Sequence, residues 1–337
     1  MNSKYVVMKI VALVMVLVLS ITLLACGEEK ADYTVGILQI QTHDALGAAT
    51  EGFKEAIQER AEKEGKTVKF IVKNPEGDQA QLTSMANELV DSCDLVLGNA
   101  TPSATALVAA ALGKNKTDLP ILFTSVTDPV DAKLVDSLDK PGKNVTGTSD
   151  LNPVNLQIDL FFDFDPTIDK VGFLYTISES NSKVQCDAAE KYITENKAGV
   201  TCVTRTVVDT TGITAAVEQL VADGAKAIYI PTDNLLASNM PVVFNALKDD
   251  KIPVVCGEAG MVKNGGTFTL SISYKELGKT TGEMACKVLF DGVSASSLPV
   301  QTQTDVSKFE FACNKTSLEN IGKELSAEFK QKYNITE

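Results

Sequence analysis

The chain has 337 residues, 44% hydrophobic and 22% charged, with a formal net charge of −13. That length suits two ordinary domains, and the mix of apolar and charged side chains is that of a packed soluble fold. An acidic chain without a Lys/Arg cluster excludes nucleic acid as partner, because a phosphate backbone requires gathered cations.

At the N-terminus Lys4 and Lys9 precede a sixteen-residue apolar run, 10–25, that stops at Leu23-Leu24-Ala25-Cys26-Gly27. A charged start, a short apolar core and a small residue before a break are the parts of a secretory signal peptide. The run is shorter than the ~20 residues a membrane-spanning helix needs. Its end resembles the lipobox of bacterial lipoproteins. The resemblance implies a signal peptide over 1–25, Cys26 lipidated on sulfur as the new N-terminus, and a protein held on the extracytoplasmic face of the cell membrane by acyl chains such as palmitate.

From residue 32 onward, β-rich runs alternate with helical stretches about every 25 to 35 residues. Strands are predicted at 33–40, 68–72, 95–98, 121–124, 171–175, 201–208, 227–230 and 254–257. Most are apolar throughout, as parallel strands covered on both faces should be. In 45–64, Leu46, Ala49, Phe53, Ala56 and Ile57 recur at helical spacing and form a stripe that faces a sheet. Asp209-Thr210-Thr211-Gly212 opens a helix that carries Ile213, Val217, Leu220 and Val221. The pattern repeats on both sides of residue 148, which predicts an α/β chain with two sheets and a turn-rich seam at 141–147. Asn144, Asn314 and Asn334 read as turn and capping residues.

Six cysteines beyond Cys26 show no metal-site or dense disulfide spacing. Cys186 and Cys202 are the one pair placed for a bridge. The chain has one histidine, His43, so no His-rich metal site and no HExxH helix exist. The stretch around Gly278-Lys279-Thr280 lacks the first glycine of a phosphate loop, and Gly147-Thr148-Ser149-Asp150-Leu151 breaks a nucleophile elbow at its last position. The sequence therefore predicts no enzyme and no cofactor.

In open α/β sheets ligands bind beyond the carboxyl ends of strands, and those loops are polar here. After the first strand come Gln39 and His43. The third and fourth are followed by Asn99-Ala100-Thr101-Pro102 and Ser125-Val126-Thr127-Asp128-Pro129. In the second half the corresponding residues are Tyr175, Glu179 and Asn181, then Asp233-Asn234, then Glu258. Helix starts after such loops attract anions, Ser125 and Thr127 add hydroxyls, and Glu179, Asp233 and Glu258 can accept from an ammonium. Any one of these residues is an ordinary helix cap; the five polar loops after the third and fourth strands and in the second half together suit a small zwitterion held between two lobes.

Gly98-Asn99-Ala100-Thr101-Pro102, Thr127-Asp128-Pro129-Val130, Asn144-Val145-Thr146-Gly147 and Pro231-Thr232-Asp233-Asn234, in this order, resemble the solute-binding lipoproteins of ABC transporters in the tryptophan-binding TrpX-like group. The resemblance covers nearly all of the chain past Cys26. It implies a type I periplasmic-binding fold: two doubly wound lobes joined by three crossings, near Thr148, Ser273 and Leu298. The lobes would be 32–148 plus 273–298, and 149–272 plus 299–337. It also implies an amino acid ligand, aromatic in several relatives. Its carboxylate would lie at Asn99, Ala100, Thr101, Ser125 and Thr127, its ammonium at Asp233 or Glu258, and Tyr175 or Tyr274 would stack on its side chain. The family often carries Gly-Ile-Asp-Tyr where this chain has Ser271-Ile272-Ser273-Tyr274, so Ser273 would replace a cleft carboxylate; Gly47 replaces another Asp.

These features together predict a monomeric, lipid-anchored receptor that passes its ligand to a membrane permease driven by an ATPase. The alternative is a ligand-sensing ectodomain that signals through a partner protein.

Overall fold

The computed structural model describes residues 31–335. The expected signal peptide and the expected lipid site, Cys26, lie outside them. Two six-stranded sheets carry the fold. The first is built from β1 (Tyr33–Gln39), β2 (Val68–Lys73), β3 (Leu95–Asn99), β4 (Ile121–Thr124), β5 (Val145–Ser149) and β11 (Gln301–Thr302). The second holds β6 (Lys170–Thr176), β7 (Thr201–Val207), β8 (Ala227–Ile230), β9 (Val254–Cys256), β10 (Phe268–Ser271) and β12 (Glu310–Cys313). Their orders are β11-β5-β4-β3-β1-β2 and β12-β10-β9-β8-β6-β7, so the same winding occurs twice. Every pairing is parallel except β12 against β10. This is the two-lobed α/β fold expected from the sequence.

The helices cover both faces of each sheet. In the first lobe these are α1 (Asp44–Glu64), α2 (Gln79–Ser92) and α3 (Thr101–Gly113). The second lobe has α4 (Val154–Phe164), α5 (Ser180–Asn196), α6 (Ile213–Ala222), α7 (Asn234–Ser238), α8 (Met240–Leu247) and α9 (Ala259–Lys263). The long α10 (Tyr274–Leu289) returns to the first lobe, and α11 (Lys315–Ile321) and α12 (Ala327–Lys332) finish on the second. Val35, Ile37, Leu97 and Leu122 face Phe53, Ile57 and Met284 in one buried cluster, which fixes α1 and α10 on the same sheet face. These two helices approach backbone to backbone: a Cβ on Gly278 would fall closer than 3.0 Å to Ala49 O, and one on Gly52 as close to Lys275 O.

All eight predicted strands form, and four more appear. The seam at 141–147 contains β5, a fully buried strand rather than turn alone. Its Val-Thr-Gly-Thr-Ser composition reads as a loop, but Gly147 lies where a Cβ would strike the Phe123 carbonyl of β4. The chain passes to the second sheet after Ser149, returns between Ser271 and Tyr274, and crosses last between Thr302 and Glu310. The stretch 299–302 therefore belongs with the first lobe, not the second, because Gln301 and Thr302 extend the β5 edge. All six cysteines among the described residues are free thiols, Cys186 and Cys202 included. Asn314 caps α11 through Ser317 N–H at 3.1 Å, the capping role its sequence suggested.

Candidate functional site between the lobes

A cavity of about 20 Å³ lies where the two sheets point their carboxyl ends at each other, space for about one water between the closed lobes. His43, Leu46, Ser125, Thr127, Asp150 and Tyr274 come to it from the first lobe and the crossings. Asn181, Thr232, Asp233, Asn234, Ala237 and Glu258 come from the second. Each follows the end of a strand or opens the next helix, as the winding requires.

Carboxylates dominate the polar lining. Asp150, at the first crossing, is 3% exposed. It accepts Thr127 Oγ1–H at 3.0 Å on Oδ1 and Tyr274 O–H at 2.6 Å on Oδ2. Each carboxylate oxygen can accept twice, so it has acceptor capacity left. Burial raises its pKa against those two bonds. Glu258 caps α9, taking Met261 N–H at 2.8 Å and Gly260 N–H at 2.5 Å. Burial, reinforced by the charges of Asp44 and Asp150, pushes it up to about 7. Two acids that repel each other across one cavity favour a cationic group between them.

Asp233 is more fully engaged. It caps α7 through Leu236 N–H at 3.0 Å and takes Thr176 N–H at 2.7 Å and Thr176 Oγ1–H at 2.8 Å, while burial raises its pKa. Beneath it Glu179 receives Asn234 N–H, Asn234 Nδ2–H and Leu235 N–H. Burial beside Asp233 pushes Glu179 up to about 8. Both are structural bonds of the α7 start, so of the two acids the sequence offered for an ammonium, Glu258 keeps capacity and Asp233 is largely spent. Three buried polar atoms of the lining meet no partner within the protein: His43 Nδ1, Ser125 Oγ and Asn181 Oδ1. Such orphans are uncommon in folded proteins and each calls for an explanation; outside the lining Asn99 Oδ1 and Ser103 Oγ share this state.

The lobes touch around the cavity. His43 Nε2 is 3.3 Å from Asn234 Oδ1, Thr127 Oγ1 is 3.3 Å from Thr232 Oγ1, Ser238 Oγ donates to Thr42 O at 3.3 Å, and Lys263 bridges to Asp44 at 2.7 Å. The cleft is closed.

Of the residues singled out from sequence, His43, Ser125, Thr127, Asn181, Asp233, Asn234, Glu258 and Tyr274 line the cavity. The others do not. Gln39 is tied to Gln41 O and Thr50 Oγ1. Asn99 holds Leu46 O and Thr50 Oγ1, bracing α1 from behind the site. Ala100 and Thr101 open α3 without reaching the lining; Ala100 stands at φ 83°, a strained value for a non-glycine. Asp128 folds back onto Val130 and Asp131 N–H, and Tyr175 packs against the second-lobe core. Ser273 caps α10 through Glu276 N–H at 3.4 Å. It faces a separate space beside the crossings, so an Asp at this position would add no charge to this cavity. Asp150 was missed because its sequence context read as a broken nucleophile elbow and not as the end of a strand.

The comparisons with known proteins identify the family. Residues 34–331 match the family model described as ABC transporter substrate binding protein. The chain belongs to that family. Its relatives are solute-binding proteins, not enzymes. Among them is a tyrosine-binding protein of Clostridioides difficile (strain R20291), 35% identical over 89% of this chain and 84% of the relative. A solved ABC domain in complex with L-Trp from Streptococcus pneumonia is 33% identical, with a TM-score of 0.81 over 90% of this chain and 99% of that one. A ligand-free, open substrate-binding protein with adhesive properties from Clostridium difficile is 37% identical, with a TM-score of 0.66 over 88% and 96%. This member of the family thus superposes better on the L-Trp complex than on the more similar but open chain, which fits its closed cleft.

Proposed function

We propose that the protein binds an aromatic amino acid in the cavity between its lobes and delivers it, from a lipid anchor at Cys26 on the extracytoplasmic face of the membrane, to the permease of an ABC importer. The observation that carries this reading is the cavity itself: buried acceptors and donors from both lobes, converging on one small space and lacking partners in the protein. Asp150 and Glu258 meet the ammonium, and Ser125 Oγ–H is the donor placed for the carboxylate. Relatives that bind tyrosine and tryptophan support the ligand class. Because the ligand touches both lobes only when they are closed, it shifts the population toward the closed form that a permease can recognise.

The test is a thermal-shift screen of residues 27–337 against the twenty amino acids and a panel of small acids, amines and sugars. A ligand present at a hundred times its dissociation constant adds about 2.7 kcal/mol to stability. A raised melting temperature with tyrosine or tryptophan supports the proposal. A shift only with sugars or simple acids contradicts it.

A further inference from the structure

The chain's single histidine is held in one protonation pattern by its neighbours. Asn234 Nδ2–H donates to Glu179 Oε2 at 2.7 Å, the same oxygen takes the Asn234 main-chain N–H at 2.9 Å, and Oε1 takes Leu235 N–H at 3.1 Å. Turned around, the Asn234 amide would give up this Nδ2–H bond and depend on the proton of a carboxyl group raised to about 8. Asn234 Oδ1 therefore faces His43 and can only accept, so the proton of the neutral ring sits on Nε2. The opposite nitrogen, Nδ1, keeps a bare lone pair, is buried, and meets no donor in the protein. Burial also lowers the pKa of the ring, outweighing the Asn234 bond and the Asp44 charge, which keeps it neutral in ordinary buffers.

His43 also borders the outer mouth of the cleft, with Thr42, Asp44, Ser238 and Lys263. Asp150 and Tyr274 lie at the crossings. His43 and Asp150 line one cavity, so an amino acid held there by its ammonium at Asp150 has His43 among the groups its side chain can meet. On the reading of the cavity as an amino acid site, we infer that His43 Nδ1 accepts a hydrogen carried by the ligand side chain, so that the site selects a phenol or an indole over a plain phenyl ring. A ring without that hydrogen leaves a buried acceptor unsatisfied, whereas the protein loses nothing else.

The experiment compares L-tyrosine, L-tryptophan and L-phenylalanine by titration calorimetry on the untagged protein, then on His43→Leu. Phenylalanine is expected to bind about tenfold to a hundredfold more weakly than the better of the other two, and His43→Leu is expected to erase that gap. Equal affinity for all three in the unaltered protein overturns this inference and leaves the amino acid reading standing; no binding of any of them overturns both. Should the variant not fold, nitrogen-15 spectra of the lone imidazole decide. An Nε2-protonated ring whose Nδ1 signal moves with tyrosine and not with phenylalanine is the expected result, and an Nδ1-protonated ring contradicts it.

Discussion

Replacing Asp150 by Asn separates what this residue does for the ligand from what it does for the fold. The amide has nearly the shape of the carboxylate but offers one acceptor oxygen, so only one of the two hydroxyls now pointing at it can stay. Tyr274 O–H, at 2.6 Å, keeps the oxygen. Thr127 O–H can turn to Thr232 Oγ1, 3.3 Å away, and its own oxygen can then accept from the new amide. Little is lost in the free protein, and a buried charge that burial already disfavours is removed; its melting temperature should hold or rise. Binding should suffer, because an ammonium that met a buried carboxylate now meets a neutral amide. Removing one partner of a buried charge pair costs about 2–5 kcal/mol, a loss of about thirtyfold to several thousandfold in affinity. Titration calorimetry with the ligand found in the screen measures this directly. An Asp150→Asn protein that binds within threefold of the unaltered one would refute the assignment and move the ammonium to Glu258.

Three further outcomes follow from the same structure. Glu258 and Glu179, ordinarily near 4.5, stand at about 7 and about 8 in the folded protein. Both raised values mean that their stabilising share is complete below pH 4.5 and is lost as pH rises through 7 and 8, on the order of 3 kcal/mol for Glu258; melts of the free protein at pH 5 and pH 8 should show the loss, and Glu258→Gln should remove its own share and leave that of Glu179. Gly278→Ala drives a methyl into the Ala49 carbonyl at the α1–α10 contact and should destabilise by about 1–3 kcal/mol or more, read as a lower urea midpoint; an unchanged midpoint would mean that the helices can slide apart without cost. Cys26→Ala in the full chain should move the protein from the membrane fraction to the soluble one in a bacterial host, and its retention in the membrane would mean that anchoring does not use this sulfur.

The periodicity of apolar runs made the parallel core strands legible, because strands covered on both faces show as short continuous stretches. The outer edges β2 and β7 were legible too, but the strands that flank the crossings, β5, β10, β11 and β12, were not. β5 is rich in Thr, Ser and Gly, β11 is two exposed residues, and β12 pairs antiparallel at an edge with no buried position. Their existence depends on neighbours distant in sequence. The site followed the same division. Polar residues immediately after core strands, such as Ser125, Asn234 and Glu258, were found by position alone. Asn99 and Asp128 satisfied the same rule but turn to local partners, a choice set by side-chain geometry that no spacing encodes. Asp150 escaped because finding it required knowing that β5 exists and where it ends.

Both lobes are proposed to close on an aromatic amino acid, with its ammonium at the crossings and its side chain toward His43. A crystal structure of the protein grown with L-tyrosine or L-tryptophan would show this. The ligand is expected in the cavity, its nitrogen within hydrogen-bond distance of Asp150 and its ring beside His43. A ligand bound outside the cleft, or reversed so that its carboxylate meets Asp150, would contradict this.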